Sequence, residues 1–261
     1  MIKIFKKVGQ TPLEVINELR QANPGLVDQK LSYAGRLDPM AEGQMVIMVG
    51  DKENQNREKF LNTDKLYEAD ILVGFSTDSY DALGLVNDDI RIENLNSIKI
   101  TYKDLEIALK KIKKIKKISY PDFSSKTVEG KPLWKWKKEG IINQIEIPTR
   151  KIKIKKIKIL DNQSISGFDL FNYLEFVITK INGDFRQSDI IKVWKDKIIN
   201  NQSYQVIKVS LKVSSGTYIR SLVHELSKEI GIPCCLLKLN RKKIYFKKTC
   251  WLSQWLLKFH K

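Results

Sequence analysis

The sequence predicts a mixed α+β fold in one continuous domain, with a largely antiparallel central sheet flanked by helices. Three observations carry that prediction. Stretches of period two and stretches of period 3.6 both occur along the chain, so neither an all-helical nor an all-strand class fits. They do not follow the regular strand–helix–strand alternation of a doubly wound parallel sheet. No internal repeat and no Gly/Ser or Pro linker divides the chain, whose 13 Gly and 7 Pro are scattered over 261 residues.

Taken in order, Thr11-Pro12 opens a helix with Thr as N-cap and Pro at the first helical position, and Leu13, Val15, Ile16 and Leu19 form its apolar face. Gly25 lies beyond its end. Leu66 to Val73, LYEADILV, reads as a strand closed by Gly74. Asp104 to Lys117 places Leu105, Ala108, Leu109, Ile112 and Ile115 on one helical face and lysines on the other. The run KKIKKIKK within it is either a solvated helix surface or an RNA contact. From Lys151 to Leu160 apolar and basic residues alternate with one slip at Lys155-Lys156, which predicts a bulged strand. Ile207, Val209, Leu211 and Val213 repeat the period of two. Ser214 to Thr217 then turns into a helix marked by Ile219, Leu222, Val223, Leu226 and Ile230, ending near Gly231.

The net charge of +17 points to a polyanionic partner, nucleic acid ahead of an acidic membrane surface, although heavy use of Lys, Ile and Asn is also what a compositionally biased genome yields. The three cysteines, Cys234, Cys235 and Cys250, cannot build a disulfide framework and read as packing residues in a reducing, cytosolic setting. With only His224 and His260 beside them, no zinc-ligand spacing exists, and no Walker or GxGxxG loop is present. No metal or cofactor is expected. The N-terminus is charged within its first three residues and lacks an apolar h-region, which argues against a signal peptide, and no run approaches the roughly eighteen apolar residues that span a bilayer.

Three stretches hold residues that could do chemistry. In SYAGRLDPMAEGQMVIMVG, from Ser32 to Gly50, the proline after Asp38 pushes that residue out of helix into an extended loop, where its carboxylate is presented; Asp-Pro between glycines is also ordinary turn chemistry. In SSGTYIR, Arg220 falls in the first turn of a helix, where the dipole disfavours a cation by roughly 0.3–1 kcal/mol unless something anionic meets it. The alternative is an exposed guanidinium in water. The third stretch, DKLYEA, starts a strand with Tyr67, a position as suited to core as to catalysis.

In this order and separation the three stretches resemble the TruB family of tRNA pseudouridine synthases. YAGRLDPMAEG keeps every position of the family's H-x-G-x-L-D-P-x-A-x-G loop except the first, and Gly-Arg-Leu-Asp is shared with other pseudouridine synthase families. DKLYEADILVGFSTDSYDALGLV matches the D-K-x-Y strand and, through Thr77, Asp78, Asp81 and Gly84, the T-D-T-x-D-x-x-G segment. SSGTYIRSLVHEL matches the G-T-Y-I-R-x-L helix start, and YPDFSSKTVEGKPLWKWKKEG resembles the segment that forms an RNA-gripping arm. The resemblance runs from about Lys7 to about Arg241.

It implies a pseudouridine synthase-like fold and a cytoplasmic, monomeric enzyme that isomerises uridine to pseudouridine in RNA, at position 55 in the T loop of tRNA, with no metal, small-molecule cofactor or membrane. Another tRNA or ribosomal site, or a non-catalytic RNA-binding protein on the same scaffold, are the alternatives. Asp38 would be the nucleophile or base, ion-paired with Arg220. Tyr67 would stack on the flipped base and assist proton removal at C5, and Leu239 would line the base pocket. Tyr218 would serve either catalysis or the structure beneath the loop. Gly35 and Arg36 belong to the catalytic loop. Lys126, Lys131, Lys135, Lys137, Lys138 and Arg150, interleaved with Trp134 and Trp136, suit phosphates and exposed bases, while the tryptophans could equally anchor the arm. Tyr33 replaces the family histidine and can stack but cannot supply an imidazole. The resemblance thus implies a catalytic domain over 1–261, with an arm at about 120–150, an insertion at about 161–205, and no C-terminal PUA-type domain.

Overall fold

The computed structural model describes residues 1–87 and 99–246; Cys250 and His260 lie outside the described residues. Strand β1 (Ile2–Lys6) leads into α1 (Pro12–Ala22), then β2 (Leu31–Ala34) and β3 (Ala41–Val49). Two short helices, α2 (Gly50–Gln55) and α3 (Arg57–Leu61), precede β4 (Asp64–Val73). Helix α4 (Tyr102–Ile112) is followed by a small outlying segment: β5 (Lys117–Ser119), β6 (Thr127–Val128), β7 (Lys131–Pro132), α5 (Leu133–Lys138) and β8 (Thr149–Lys151). Then come β9 (Ile154–Ser166), α6 (Gly167–Thr179), α7 (Gln187–Lys197), β10 (Ser203–Val213), α8 (Ile219–Ile230) and β11 (Cys234–Tyr245).

The main sheet runs β1-β3-β11-β4-β10-β9, with β2 also on β3. Every pairing in it is antiparallel except β3 with β11, as the sequence predicts for a mixed, largely antiparallel sheet. Alternation along the strands sends side chains to two covered faces. Ala69, Ile71 and Val73 of β4 and Ile207, Val209, Leu211 and Val213 of β10 pack against Leu105, Ala108, Leu109 and Ile112 of α4 and Leu222, Val223 and Leu226 of α8. Leu72, Val206 and Leu237 point the other way, onto Leu170, Leu174 and Ile178 of α6 and Ile190 and Trp194 of α7. Adjacent Cys234 and Cys235 go to opposite faces, both buried, which fits their reading as packing residues.

Local chemistry sets the boundaries. Thr11 accepts from the Glu14 N–H at 3.2 Å while Glu14 reaches back to the Thr11 N–H at 2.5 Å, a full capping box. Strand β9 carries the bulge expected at Lys155 and a second at Leu160, since Lys212 and Val213 pair with Lys156 and Ile154, and Lys208 and Val209 with Asp161 and Ile159. Two expectations are corrected. The helix over 104–117 starts at Tyr102 and ends at Ile112, because Lys117 to Ser119 pair as a strand with β8 and that pairing overrides helical periodicity. The 161–205 segment begins and ends inside strands paired to each other, so what stands apart is the α6–α7 hairpin and its connections.

Candidate active site

The loop after β2 is built to present one carboxylate. Gly35 turns the chain at φ +78°, a left-handed conformation that favours glycine. Leu37 and Met40 bury on either side of Asp38 and Pro39, anchoring the loop. Two buried cations grip it from behind. Arg241 donates from Nε to the Gln44 carbonyl at 2.6 Å and from its two terminal nitrogens to the Gly35 and Arg36 carbonyls at 3.0 and 3.4 Å. Lys6 donates to the carbonyls of Ala41, Lys7 and Pro39 at 2.5, 3.0 and 3.4 Å, and burial pulls its pKa down to about 8. Gly43 lets β3 approach β11: at φ +118° a Cβ there would sit 2.4 Å from the Arg241 carbonyl oxygen.

Arg220, in the first turn of α8, faces that loop. Its Nε donates to Asp38 Oδ2 at 2.8 Å and lies 3.3 Å from Asp81 Oδ2. Its remaining nitrogens donate to the carbonyls of Ser79 at 3.0 Å and Phe123 at 3.2 Å. A cation at a helix N-terminus is thereby answered by two carboxylates. Burial works against its charge, but Asp38 and Asp81 hold the guanidinium pKa above its ordinary value. Asp81 is sealed in, accepting from Ser79 Oγ at 2.6 Å and the Leu83 N–H at 3.0 Å. Burial pushes its pKa up to about 6 against the pull of Arg220, and the Asp38 charge adds to the rise. The Asp38 side chain, by contrast, is 25% exposed where that of Arg220 is 4%.

Asp38 opens onto a cavity of about 850 Å³. Gly35, Arg36, Tyr67, Trp134, Tyr218, Arg220 and Leu239 all line it. Tyr67 enters from β4 and Leu239 from β11, paired strands. Tyr218 caps α8 and meets Tyr120 edge-on at 5.5 Å; burial raises its phenol pKa, with the Asp38 charge adding. Of the two tryptophans, Trp134 is 44% exposed in the cavity wall, while the Trp136 indole N–H donates to the Val128 carbonyl at 3.2 Å within the outlying segment itself.

One expected cavity residue is elsewhere. Tyr33, paired with Ile47 on β3, packs beside Ile2, Val15 and Leu19 in the α1 core, because alternation on β2 turns it from the cavity. On the outlying 120–150 segment, Lys126 lies 5.9 Å above the Tyr120 ring and Lys131 pairs with Glu139 over Trp136, away from the cavity lining. Sequence reasoning missed Asp81 as the second carboxylate on Arg220, though the T-D-T-x-D-x-x-G match contains it. It also missed Lys65, whose ammonium donates to the Leu61 and Thr63 carbonyls at 2.8 and 2.7 Å at the cavity edge, with its pKa lowered to about 8 by burial and by Arg241. Arg186, which also lines the cavity and donates to Asp78 at 2.7 Å, had no signal at all.

Among the described residues no cluster of three or more His, Cys, Asp or Glu could hold a metal, and no helix is long and apolar enough to cross a membrane. Residues 25–185 match the sequence profile described as "TruB family pseudouridylate synthase (N terminal domain)". The chain is 30% identical over 245 residues to tRNA pseudouridine synthase B of Fusobacterium nucleatum, covering 94% of this chain and 67% of that protein. It is 28% identical over 243 residues to tRNA pseudouridine synthase B of Caldicellulosiruptor saccharolyticus, covering 93% and 66%. The chain thus spans about two thirds of the length of these curated relatives. The crystal structure of a Cbf5-Nop10-Gar1 complex shares the fold at a TM-score of 0.50 and 15% identity, over 95% of this chain and 49% of that one.

Proposed function

This chain belongs to the TruB family of pseudouridylate synthases, and on that premise we propose that it isomerises uridine to pseudouridine in tRNA, at position 55 of the T loop. The observation that carries the reading is the Asp38 carboxylate, which reaches the cavity while held at 2.8 Å by a buried guanidinium. RNA binding alone needs lysines and aromatics; it does not need an acid set into a grip of this kind.

The target base is stacked inside an RNA loop and must be flipped out, at a cost of a few kcal/mol that contacts to the rest of the RNA offset. In the cavity Asp38 acts as nucleophile or base while the N1–C1′ bond breaks. The uracil turns, C5 bonds to C1′, and the C5 proton leaves. Arg220 fixes the carboxylate's position through each step and favours its charged form before the reaction begins. Tyr67 stacks on the base and assists removal of the C5 proton, and Leu239 supplies apolar wall. The Asp81 carboxylate, behind Arg220, balances the guanidinium so that it remains in place as charge on Asp38 changes. The basic segment over 120–150 forms the arm that holds the RNA, with the T arm of tRNA as the partner of a monomeric, cytoplasmic enzyme.

The test is to treat an unmodified tRNA transcript with the protein and map pseudouridine by sequencing. A single new signal at position 55 supports the proposal. A signal at another site moves the substrate and keeps the chemistry, and no signal in any tRNA or ribosomal RNA rejects the reading.

A further inference from the structure

The α6–α7 hairpin covers the second face of the sheet, yet its tip reaches past that face into the catalytic cavity, whose lining includes Asp184, Phe185 and Arg186. Layer packing alone does not require this. We propose that the tip is a base-stacking subsite for the substrate RNA, with Phe185 as the stacking face; the inference rests on the pseudouridine synthase reading and adds a second grip to it, beside the arm.

The tip is built and held rather than loose. Gln187 closes it, accepting from the Phe185 N–H at 3.0 Å and donating to the carbonyls of Ile181 and Gly183 at 2.9 and 2.7 Å. Arg186 sits in the left-handed region at φ 62°, a costly conformation for a non-glycine residue that the surroundings must hold in place. They do so by a fork: its guanidinium donates to Asp78 at 2.7 and 3.3 Å and lies 4.5 Å from the Phe123 ring. Phe123 in turn gives its carbonyl to Arg220. Lys138 of α5 pairs with Asp184, and Asn182 donates to Glu14 of α1 at 2.8 Å. The tip is thus tied to the turn after β4, to the arm and to α1, all of which border the cavity.

Gly183 turns the chain beside the Phe185 ring at φ +93°, a left-handed conformation that favours glycine. The Phe185 side chain is 38% exposed, an aromatic surface open to the same cavity as Asp38. Elsewhere in the same lining Ser124, 4% exposed, has a buried Oγ with no hydrogen-bond partner among the described residues. An apolar ring with an orphaned hydroxyl in one basic cavity suits an unpaired nucleotide, whose base stacks and whose polar edge or ribose satisfies the hydroxyl. A flipped uridine occupies the Asp38 end; the stacked base belongs to a neighbouring nucleotide.

The experiment measures KM and kcat for a tRNA transcript, and Kd by filter binding, for the whole chain and for Phe185→Ala, Phe185→Trp and Phe168→Ala. Phe168 is 60% exposed on α6 and outside the cavity. Expected is a rise in KM and Kd of about tenfold or more for Phe185→Ala, the scale of one base–aromatic stack, with kcat unchanged, near-wild-type values for Phe185→Trp, and no effect of Phe168→Ala. Unchanged KM and Kd in Phe185→Ala overturn the subsite and leave the activity standing. If the wild type has no turnover, the parent reading fails, and Kd still decides whether Phe185 grips RNA. Should Phe185→Ala melt early, Phe185→Leu keeps the bulk without the aromatic face and is expected to show the same tenfold loss.

Discussion

Arg220 Nε lies 2.8 Å from one carboxylate oxygen of Asp38, a residue 182 positions earlier, and 3.3 Å from one of Asp81. One guanidinium therefore joins the presented acid to a sealed one, and its two terminal nitrogens donate to the Ser79 and Phe123 carbonyls. A lysine offers a point charge without that planar fork. Arg220→Lys is expected to lower kcat by roughly 10²-fold, the scale of one preorganised donor, with little change in RNA affinity. Affinity falling in step with kcat would mark Arg220 as a phosphate contact.

Asp81 sets a pH dependence. Its pKa is raised to about 6, so above pH 6 it is ionised and balances Arg220, and below it the carboxyl is neutral and leaves the guanidinium to Asp38 alone. Turnover is expected to fall as pH drops through about 6. Asp81→Asn fixes the neutral state, so its rate at pH 8 is low and the limb near pH 6 is gone. A pH–rate profile of that variant with the limb still in place would contradict the assignment.

Gly43→Ala forces a side chain into φ +118° and against backbone 2.4 Å away. The left-handed conformation alone costs about 1–2 kcal/mol, and the Arg241 backbone cannot yield without opening the β3–β11 pairing. Chemical denaturation is expected to show a loss of at least about 2 kcal/mol. Stability equal to wild type would mean that this approach is not tight in solution.

On α5, Lys137 and Lys138 already face Asp122 and Asp184, while Lys135 is exposed. Lys135→Ala is expected to reduce the slope of log K against log salt for RNA binding by about 0.7–0.9, the value of one phosphate contact. Lys137→Ala is expected to reduce it less. Equal slopes for all three proteins would make these lysines solvated surface.

Much of this was legible in the sequence wherever the signal was local. Thr11 and Pro12 announced α1, the doubled lysine at Lys155-Lys156 announced the bulge, and Asp-Pro announced a presented carboxylate. A cation in a helix's first turn called only for some anion at Arg220; that the anion is Asp38 came from the resemblance to the TruB family. Buried cations were not legible: nothing in the sequence sets Lys6 and Arg241 apart from the other basic residues, and only the fold brings together the carbonyls that satisfy them. The Tyr33 ring was misplaced because its strand's alternation becomes visible only once β2 is paired with β3. The hairpin tip was hidden for a further reason, since no pattern in Gly183 to Arg186 foretells that a loop far from Asp78 and Phe123 will lock onto both.

The most direct measurement is tritium released to water from tRNA labelled at uridine C5. Wild type is expected to release label in proportion to pseudouridine formed, and Asp38→Ala, with RNA affinity intact, to release none. Release persisting in Asp38→Ala would contradict the account at its centre, because the reaction would then be proceeding without the acid that the whole fold holds in place.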